Sequence, residues 1–282
     1  MDASDTRPGV LEVIDEAQDF LQESIALHDL VASIAEADYM RPTQFKEWRV
    51  NDVLQHLHFF NLAALYSLKE PARFDELYAS LNAKRQGGLS SVAATDELLD
   101  GVHGYALLKL WREGFEQTAA AFAPADPRQR VTWVGPDMSA RSSISARLME
   151  TWAHGQAVYD LLGVERRNTD RIRSVAMMGI NTYEWTFRNR GESVPLPKPH
   201  VVLMAPSGAV WRWNEPSDEH RIEGLAEEFC QVVTQVRNIK DTHLVVKGEP
   251  ATRWMAQAQC FAGPVQPPPL AGARRPSVRT SA

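Results

Sequence analysis

What most constrains this chain is a change of rhythm near residue 190. Before it, apolar residues recur at helical spacing over long stretches; after it, they come in short runs. Between the two lie Gly191, Pro195, Pro197 and Pro199, a density of breakers that reads as a linker. Long helical periodicity on one side and short mixed elements on the other predict a mainly α protein, a helical bundle followed by a small α+β domain.

The spacing predicts a first amphipathic helix from 11 to about 34, with Leu11, Ile14, Leu21 and Ile25 on its apolar side and Glu12, Asp15, Glu16 and Asp19 elsewhere. After a break at Pro42, Asn51 and Asp52 start a second helix through Val53, Leu54, Leu57 and Phe60 to about Leu68. Gln86, Gly87, Gly88 and Ser90 signal a loop. Thr95, Asp96 and Glu97 then open a third long helix carrying Leu98, Leu99, Val102, Leu108, Trp111 and Phe115, which ends before Pro124 and Pro127. Ser139 or Ser142 caps a fourth helix that stops near Gly163, and a fifth runs from Thr169 to about Arg188. Beyond the linker, strands are expected at 201–204, at Val210–Trp213 and at 243–246, with helices at 225–236 and 250–261. The expected division is a bundle over 8–190, an α+β domain over 200–263, and a disordered tail over 264–282 rich in Pro267, Pro268, Pro269, Arg274, Arg275 and Arg279.

Composition narrows the function classes. Thirty basic against 36 acidic residues leave a net charge of −6, which argues against a nucleic-acid partner. No apolar run approaches the roughly 20 residues of a membrane span, and the polar start with Pro8 shows no secretory signal. The two cysteines, Cys230 and Cys260, fit a reducing cytoplasm and read as small buried hydrophobes. Small molecules are therefore the expected partners.

Chemistry concentrates in Glu150-Thr151-Trp152-Ala153-His154. Residues four apart share a helix face, so this carboxylate and imidazole can reach one metal ion. The pair alone is common on solvated faces. Here Leu148, Met149, Trp152, Ala153, Val158 and Leu161 make the helix apolar on several sides, where a glutamate is costly unless paired or ligated. Arg147, three residues before Glu150, can hold that carboxylate or a substrate anion; a surface ion pair is the alternative. His56 has apolar neighbours Val53, Leu57 and Phe60 and so faces inward, with Asp52 placed to orient it. Taken alone, His56 reads as a satisfied core or surface histidine. His58 is about 200° further round and faces elsewhere. His28, His103, His200, His220 and His243 lack a helical partner that would complete a site.

Trp48-x-Val50-x-Asp52-Val53-x-x-His56-Leu57, followed far downstream by Arg147-x-x-Glu150-x-x-x-His154, resembles the metal-binding domain of the mycothiol-dependent maleylpyruvate isomerase family, within the DinB-like superfamily. The resemblance covers roughly residues 8 to 190. It implies a DinB-like four-helix bundle, here with an extra helix, and a divalent metal, usually zinc, held by His56, Glu150 and His154 with water completing the shell. Two histidines and a carboxylate with an open position form a recognised catalytic zinc set. The chain departs from the family at Ala157, where a carboxylate commonly stands. Asp160 lies one turn later. Ile222-x-Gly224, with Leu244-Val245-Val246-x-Gly248, is similar to the sterol-carrier-like domain that accompanies this bundle, and also to a domain named for wyosine base formation. Trp211, Trp213 and Trp254 can line a pocket, but core packing is the commoner use of such aromatics.

The function so implied is a metal-dependent enzyme using a low-molecular-weight thiol, mycothiol or glutathione. As an isomerase it would add thiolate to a conjugated double bond, allow rotation and eliminate; an S-transferase would omit the return. Arg147 is the candidate catalytic residue, anchoring a substrate carboxylate. Two alternatives stay open: a non-catalytic metal- or ligand-binding protein of the same fold, which Ala157 supports, and a non-haem iron oxygenase, since the same donors suit iron.

Overall fold

A computed structural model describes residues 13–277. Leu11 and Glu12 of the first expected helix, Arg279 of the tail, and the outer limits 8 and 282 of the expected units lie outside the described residues.

In chain order the helical part consists of α1 (Asp15–Ala32), α2 (Val50–Lys69), α3 (Pro71–Gln86), α4 (Ser91–Leu98), α5 (Gly104–Phe122), α6 (Ala140–Leu162), α7 (Arg173–Asn181) and α8 (Tyr183–Arg188). A two-residue ribbon, β1 (Arg130–Val131) against β2 (Met138–Ser139), leads into α6. The bundle is made by α1, α2, α5 and α6: α2 lies along α5, α1 lies along α6 and α5, and α6 also meets α2. Its axis is filled by Phe20, Leu57, Trp111, Phe115 and Trp152, all fully buried or nearly so. Truncating either tryptophan to alanine should cost about 3–5 kcal/mol, the range for large aromatic side chains in a core.

The boundaries of α6 follow from its ends. The Ser139 hydroxyl accepts the Ser142 N–H at 3.1 Å, and Gly163 closes the helix in the left-handed region at φ 61°. Two expectations upstream are corrected. The helix expected to run unbroken from Thr95 is two helices, α4 and α5. The chain turns between them through Asp100 at φ 53° and Gly101 at φ 65°, conformations a helix cannot contain. The unanticipated α3 begins at Pro71, whose missing N–H costs nothing in a first turn. With α4 it covers a small second core of Phe59, Leu81 and Ala94. The expected fifth helix is broken as well, into a 3-10 turn at Asp170–Ile172, then α7 and α8 separated at Thr182.

Downstream, β3 (His200–Met204), β4 (Val210–Trp213), β5 (Arg221–Leu225) and β6 (Val245–Lys247) form one sheet in the order β4-β3-β5-β6. β5 is parallel to β3, while β4 and β6 pair antiparallel to their neighbours. The central strand β5 was not among the expected strands. α9 (Ala226–Val233) and α10 (Glu249–Gln257) complete this part. Thus the protein is mainly helical, with its small mixed sheet in the C-terminal part, as expected. The sheet does not own a separate core. One apolar cluster runs from Trp111 and Trp152 through Val175 and Ala176 to Phe229, Ile222 and Trp254.

The tail, expected to be disordered, holds defined hydrogen bonds as far as Ser277. Gln235 Nε2 donates to the Gln266 carbonyl (2.9 Å), Asn238 Nδ2 to the Pro269 carbonyl (2.8 Å), and Arg274 Nη1 to the Gln235 carbonyl (2.7 Å). The Arg275 N–H reaches Gln44 Oε1 (2.7 Å) and the Ser277 N–H the Asp160 carbonyl (2.7 Å). Proline-rich composition removes helix and sheet, but an extended strand of coil can still be tied down by side chains of the surface it crosses.

Candidate metal centre

The helix pairing of α2 with α6 brings His56 beside Glu150 and His154. His56 Nε2 lies 3.1 Å from Glu150 Oε2, and His154 Nε2 lies 3.0 Å from the same oxygen. The three donor atoms lie within 4.8 Å of one another, the only group of three or more such ligands among the described residues. Two imidazoles and a carboxylate so gathered are a donor set that can hold a divalent transition metal. The side chains are partly buried, 13–23% exposed, so a small ligand can still approach.

Aromatic rings wall the cluster. Trp48 stacks flat on His154, centroids 5.4 Å apart and planes at 8°, and Phe45 meets the same ring edge-on at 4.9 Å. Phe60 packs against His56 at 4.8 Å. This wall shapes the electrostatics. Burial would raise the Glu150 carboxyl, but hydrogen bonds from His154 and His56, with the charges of His154 and Arg147, hold it well below the usual carboxylate range. Burial, then the like charge of His154, pushes His56 down to about 4. At neutral pH the site therefore offers an ionised carboxylate and a neutral imidazole at His56, the protonation states a metal needs.

Arg147 is more deeply placed than a surface ion pair would be. Its side chain is 2% exposed, and Nη2 stands 3.9 Å from Glu150 Oε2, beyond hydrogen-bond reach. Nε and Nη1 find no partner among the described residues. The guanidinium carbon lies 5.7 Å from the ring centres of both Phe60 and Trp133.

The other candidates are placed as follows. Asp52 does not orient His56: its carboxylate accepts the Arg49 backbone N–H (2.8 Å) and Arg49 Nη2 (2.7 Å), fastening the start of α2. His58 faces away, into the α2–α5 contact, where a Cβ on Gly114 would come within 2.9 Å of its Nδ1. Ala157 lies on the wall of the cleft, and Asp160 is already engaged by Arg237 Nη2 at 2.7 Å and Gln156 Nε2 at 3.0 Å. Cys230 and Cys260 are free and buried, and burial pushes both thiols up, which leaves neither as a nucleophile. Trp211 and Trp254 are core residues. Sequence reading missed the roles of Phe45, of Trp48 (present in the motif but given no task) and of Arg237. Aromatic type beside the motif was the one signal available for the first two.

Two cavities meet at the cluster, sharing His56, Phe60, Met149, Glu150, Phe261 and Ala262 as walls. One, of about 350 Å³, runs past Trp48 and His154 to Asp160, Arg237 and Arg274 and is roofed in part by the tail. The other, of about 870 Å³, extends past Arg147 to Trp133, Met138, Met177 and Trp185.

Residues 20–159 match the family model described as the mycothiol maleylpyruvate isomerase N-terminal domain. Uncharacterised proteins from two strains of Mycobacterium tuberculosis are each 36% identical over 246 residues, covering 87% of this chain and 95% of the relative. Among solved structures, the crystal structure of the mycothiol-dependent maleylpyruvate isomerase and that of a histidine-to-alanine variant each align at 15% identity and a TM-score of 0.49, covering 79% of this chain and 88% of theirs. At that distance no residue role is transferred from them.

Proposed function

The chain belongs to the mycothiol maleylpyruvate isomerase N-terminal domain family, and from this premise we propose that it is a metal-dependent enzyme using a low-molecular-weight thiol, an isomerase or S-transferase. The observation that carries the reading is the convergence of His56 Nε2 and His154 Nε2 on one oxygen of Glu150. In this reading His56, Glu150 and His154 hold a divalent ion, zinc by donor type, and the thiol is mycothiol or glutathione. When bound, the ion supplies Lewis acidity that makes thiolate available at neutral pH.

The chain's own residues do the rest. Trp48, Phe45 and Phe60 exclude bulk water from the cluster and fix the imidazole planes. Arg147, whose Nε and Nη1 find no partner among the described residues, serves as the catalytic-side group by holding the anionic part of the substrate. Substrate and thiol are small molecules in this reading, and neither nucleic acid nor membrane is involved; among the described residues no helix is long and apolar enough to cross a membrane.

A second reading, a non-catalytic metal- or ligand-binding protein of the same fold, is favoured by one observation: position 157, one turn after His154, is an alanine with no carboxylate to move a proton, and Asp160 is bound to Arg237. Elemental analysis of purified protein, followed by a thiol-consumption assay with conjugated acceptors, separates the two. About one equivalent of metal with thiol turnover supports the enzyme; one equivalent without turnover supports the binding protein; no metal after reconstitution removes both.

A further inference from the structure

The sheet offers a surface that the metal centre does not use. Side chains alternate across a strand, so β3 sends Val201 and Leu203 into the shared core, both fully buried, and turns Val202 and Met204 outward. The strand register carries this outward set across the sheet. One row is Val210, Met204 and Leu225, which are 48%, 51% and 43% exposed. The next is Arg212, Val202 and Glu223, continued by Val245 of β6. A third holds His200 and Arg221. A sheet with one face in water normally turns polar residues outward along every strand. Here a whole row across three strands is aliphatic instead, the mark of a contact surface. None of these residues lines either cavity at the cluster.

The charges on this face say what covers it. Arg212 and Glu223 flank Val202, one strand to either side of β3. The Arg212 guanidinium has no hydrogen bond or ion pair among the described residues. Glu223 meets Arg221 Nη2 at 2.9 Å and stays half exposed. About β3 the face is therefore symmetric in its apolar residues and opposite in its charges. Turned through 180° about an axis along β3, it sets Met204 against the partner's Met204, Val210 against the partner's Leu225, and Arg212 against the partner's Glu223. β6, with Val245 and Lys247, falls beyond the edge of the opposing sheet, so no like charges meet. We propose that this face docks on the same face of a second copy of the chain, the self-complementary contact of a twofold dimer, with the two sheets packed in near-aligned fashion. The three opposed strands give a footprint of about 14 by 17 Å, small for a stable interface, so the dimer is weak and forms only as concentration rises. It rests on no reading of the metal site.

Analytical ultracentrifugation of the full-length protein tests this. From about 5 to about 500 µM, a range that spans weak association, the mass should rise from one chain towards two. Met204→Glu sets two carboxylates against each other on the axis and should leave a monomer throughout. Arg212→Glu and, separately, Glu223→Arg should each raise the dissociation constant at least about 10-fold. The double variant Arg212→Glu/Glu223→Arg should regain a large part of that loss. Within one chain the two positions are two strands, about 10 Å, apart, so recovery arises only between copies. Unchanged circular dichroism and melting temperature show that each variant is folded. Because both charge variants are surface changes, the comparison stands even if Met204→Glu fails to fold. A protein that stays monomeric over the whole range overturns the proposal, whether another segment of the chain or a different partner covers the face. So does a dimer that persists in a folded Met204→Glu, or one whose charge variants show no recovery when combined.

Discussion

Glu150 Oε2 is a single atom doing two jobs: it accepts from His56 and from His154 at 3.1 and 3.0 Å. Because that carboxyl stays ionised and can only accept, each histidine presents Nε2–H to it, and each must give up that proton before Nε2 can ligate a metal. His58, two residues from His56, has the opposite lot. Burial pushes it down to about 4, and its Nδ1 has no partner among the described residues. In the unfolded chain it titrates near its ordinary value of 6.5. Between those values the unfolded state binds the proton and the folded state does not, so stability is full above about 6.5 and falls as the pH drops toward about 4. We expect His58→Gln to flatten this acid limb: between pH 7 and pH 5 the unaltered protein should lose about 2 kcal/mol more than the variant in urea unfolding. Equal losses would show that His58 titrates normally in the fold. At this scale Glu150 and His154 could be paired from their spacing inside an apolar helix, whereas His56, which taken alone read as a core or surface histidine, joined them only through the family resemblance. Phe45, Trp48 and Arg237 were not, since their tasks arise from contacts between segments far apart in sequence.

The elements that matter to the site are α2 and α6, each rigid and each delivering its ligands from one face. The sharpest comparison is therefore between histidines on α2 and α6. His154→Ala should abolish metal binding and leave the bundle folded, because Trp48 and Phe45 flank the ring without depending on it for the core. His58→Ala should keep its metal and lose instead about 1–3 kcal/mol of stability from the gap left against Gly114. Metal content measured side by side decides it; the reverse pattern would mean the wrong histidines were chosen. The legibility of elements tracked their end signals. α6 could be bounded by a serine cap, Ser139 or Ser142, and by Gly163, and the structure uses Ser139. α3 was overlooked because it buries only Phe74 and Leu81, too few apolar residues to show a period. The break before α5 was overlooked because Asp100 takes a left-handed conformation that its residue type only weakly announces. β5 escaped because Gly224 and the charged Arg221 and Glu223 leave it little strand character.

For the whole molecule the relevant fact is the shared core. Gly179 of α7 sits so close to α9 that a Cβ would come within 2.8 Å of Val233, and Trp254 packs edge-on to both Tyr183 and Phe229. A buried ion cluster adds to the binding of loop to bundle: Glu23 of α1 is paired with both Arg166 and Arg171. The linker over 189–200 divides the sequence, and we keep the two units 8–190 and 200–263 as a proposal about the organisation of the sequence rather than about independent stability. A calorimetric scan should accordingly show one unfolding transition. Two separated transitions would show that the sheet part folds on its own. The shared core could not be read from sequence, because apolar residues announce that they are buried without announcing against what.

The meeting of two cavities at one cluster bears finally on timing. Reactants that arrive through a common mouth must take turns, and the first in blocks the second. Here the two cavities share the walls of the cluster but are otherwise lined by different residues, so in the proposed reading neither reactant has to wait for the other. Under the thiol-enzyme reading proposed above, initial-rate patterns should then show random-order addition, and a dead-end analogue of the thiol's acceptor should leave the apparent affinity for the thiol almost unchanged. Mutual exclusion of the two analogues in a binding competition would mean that the approaches lead to one seat.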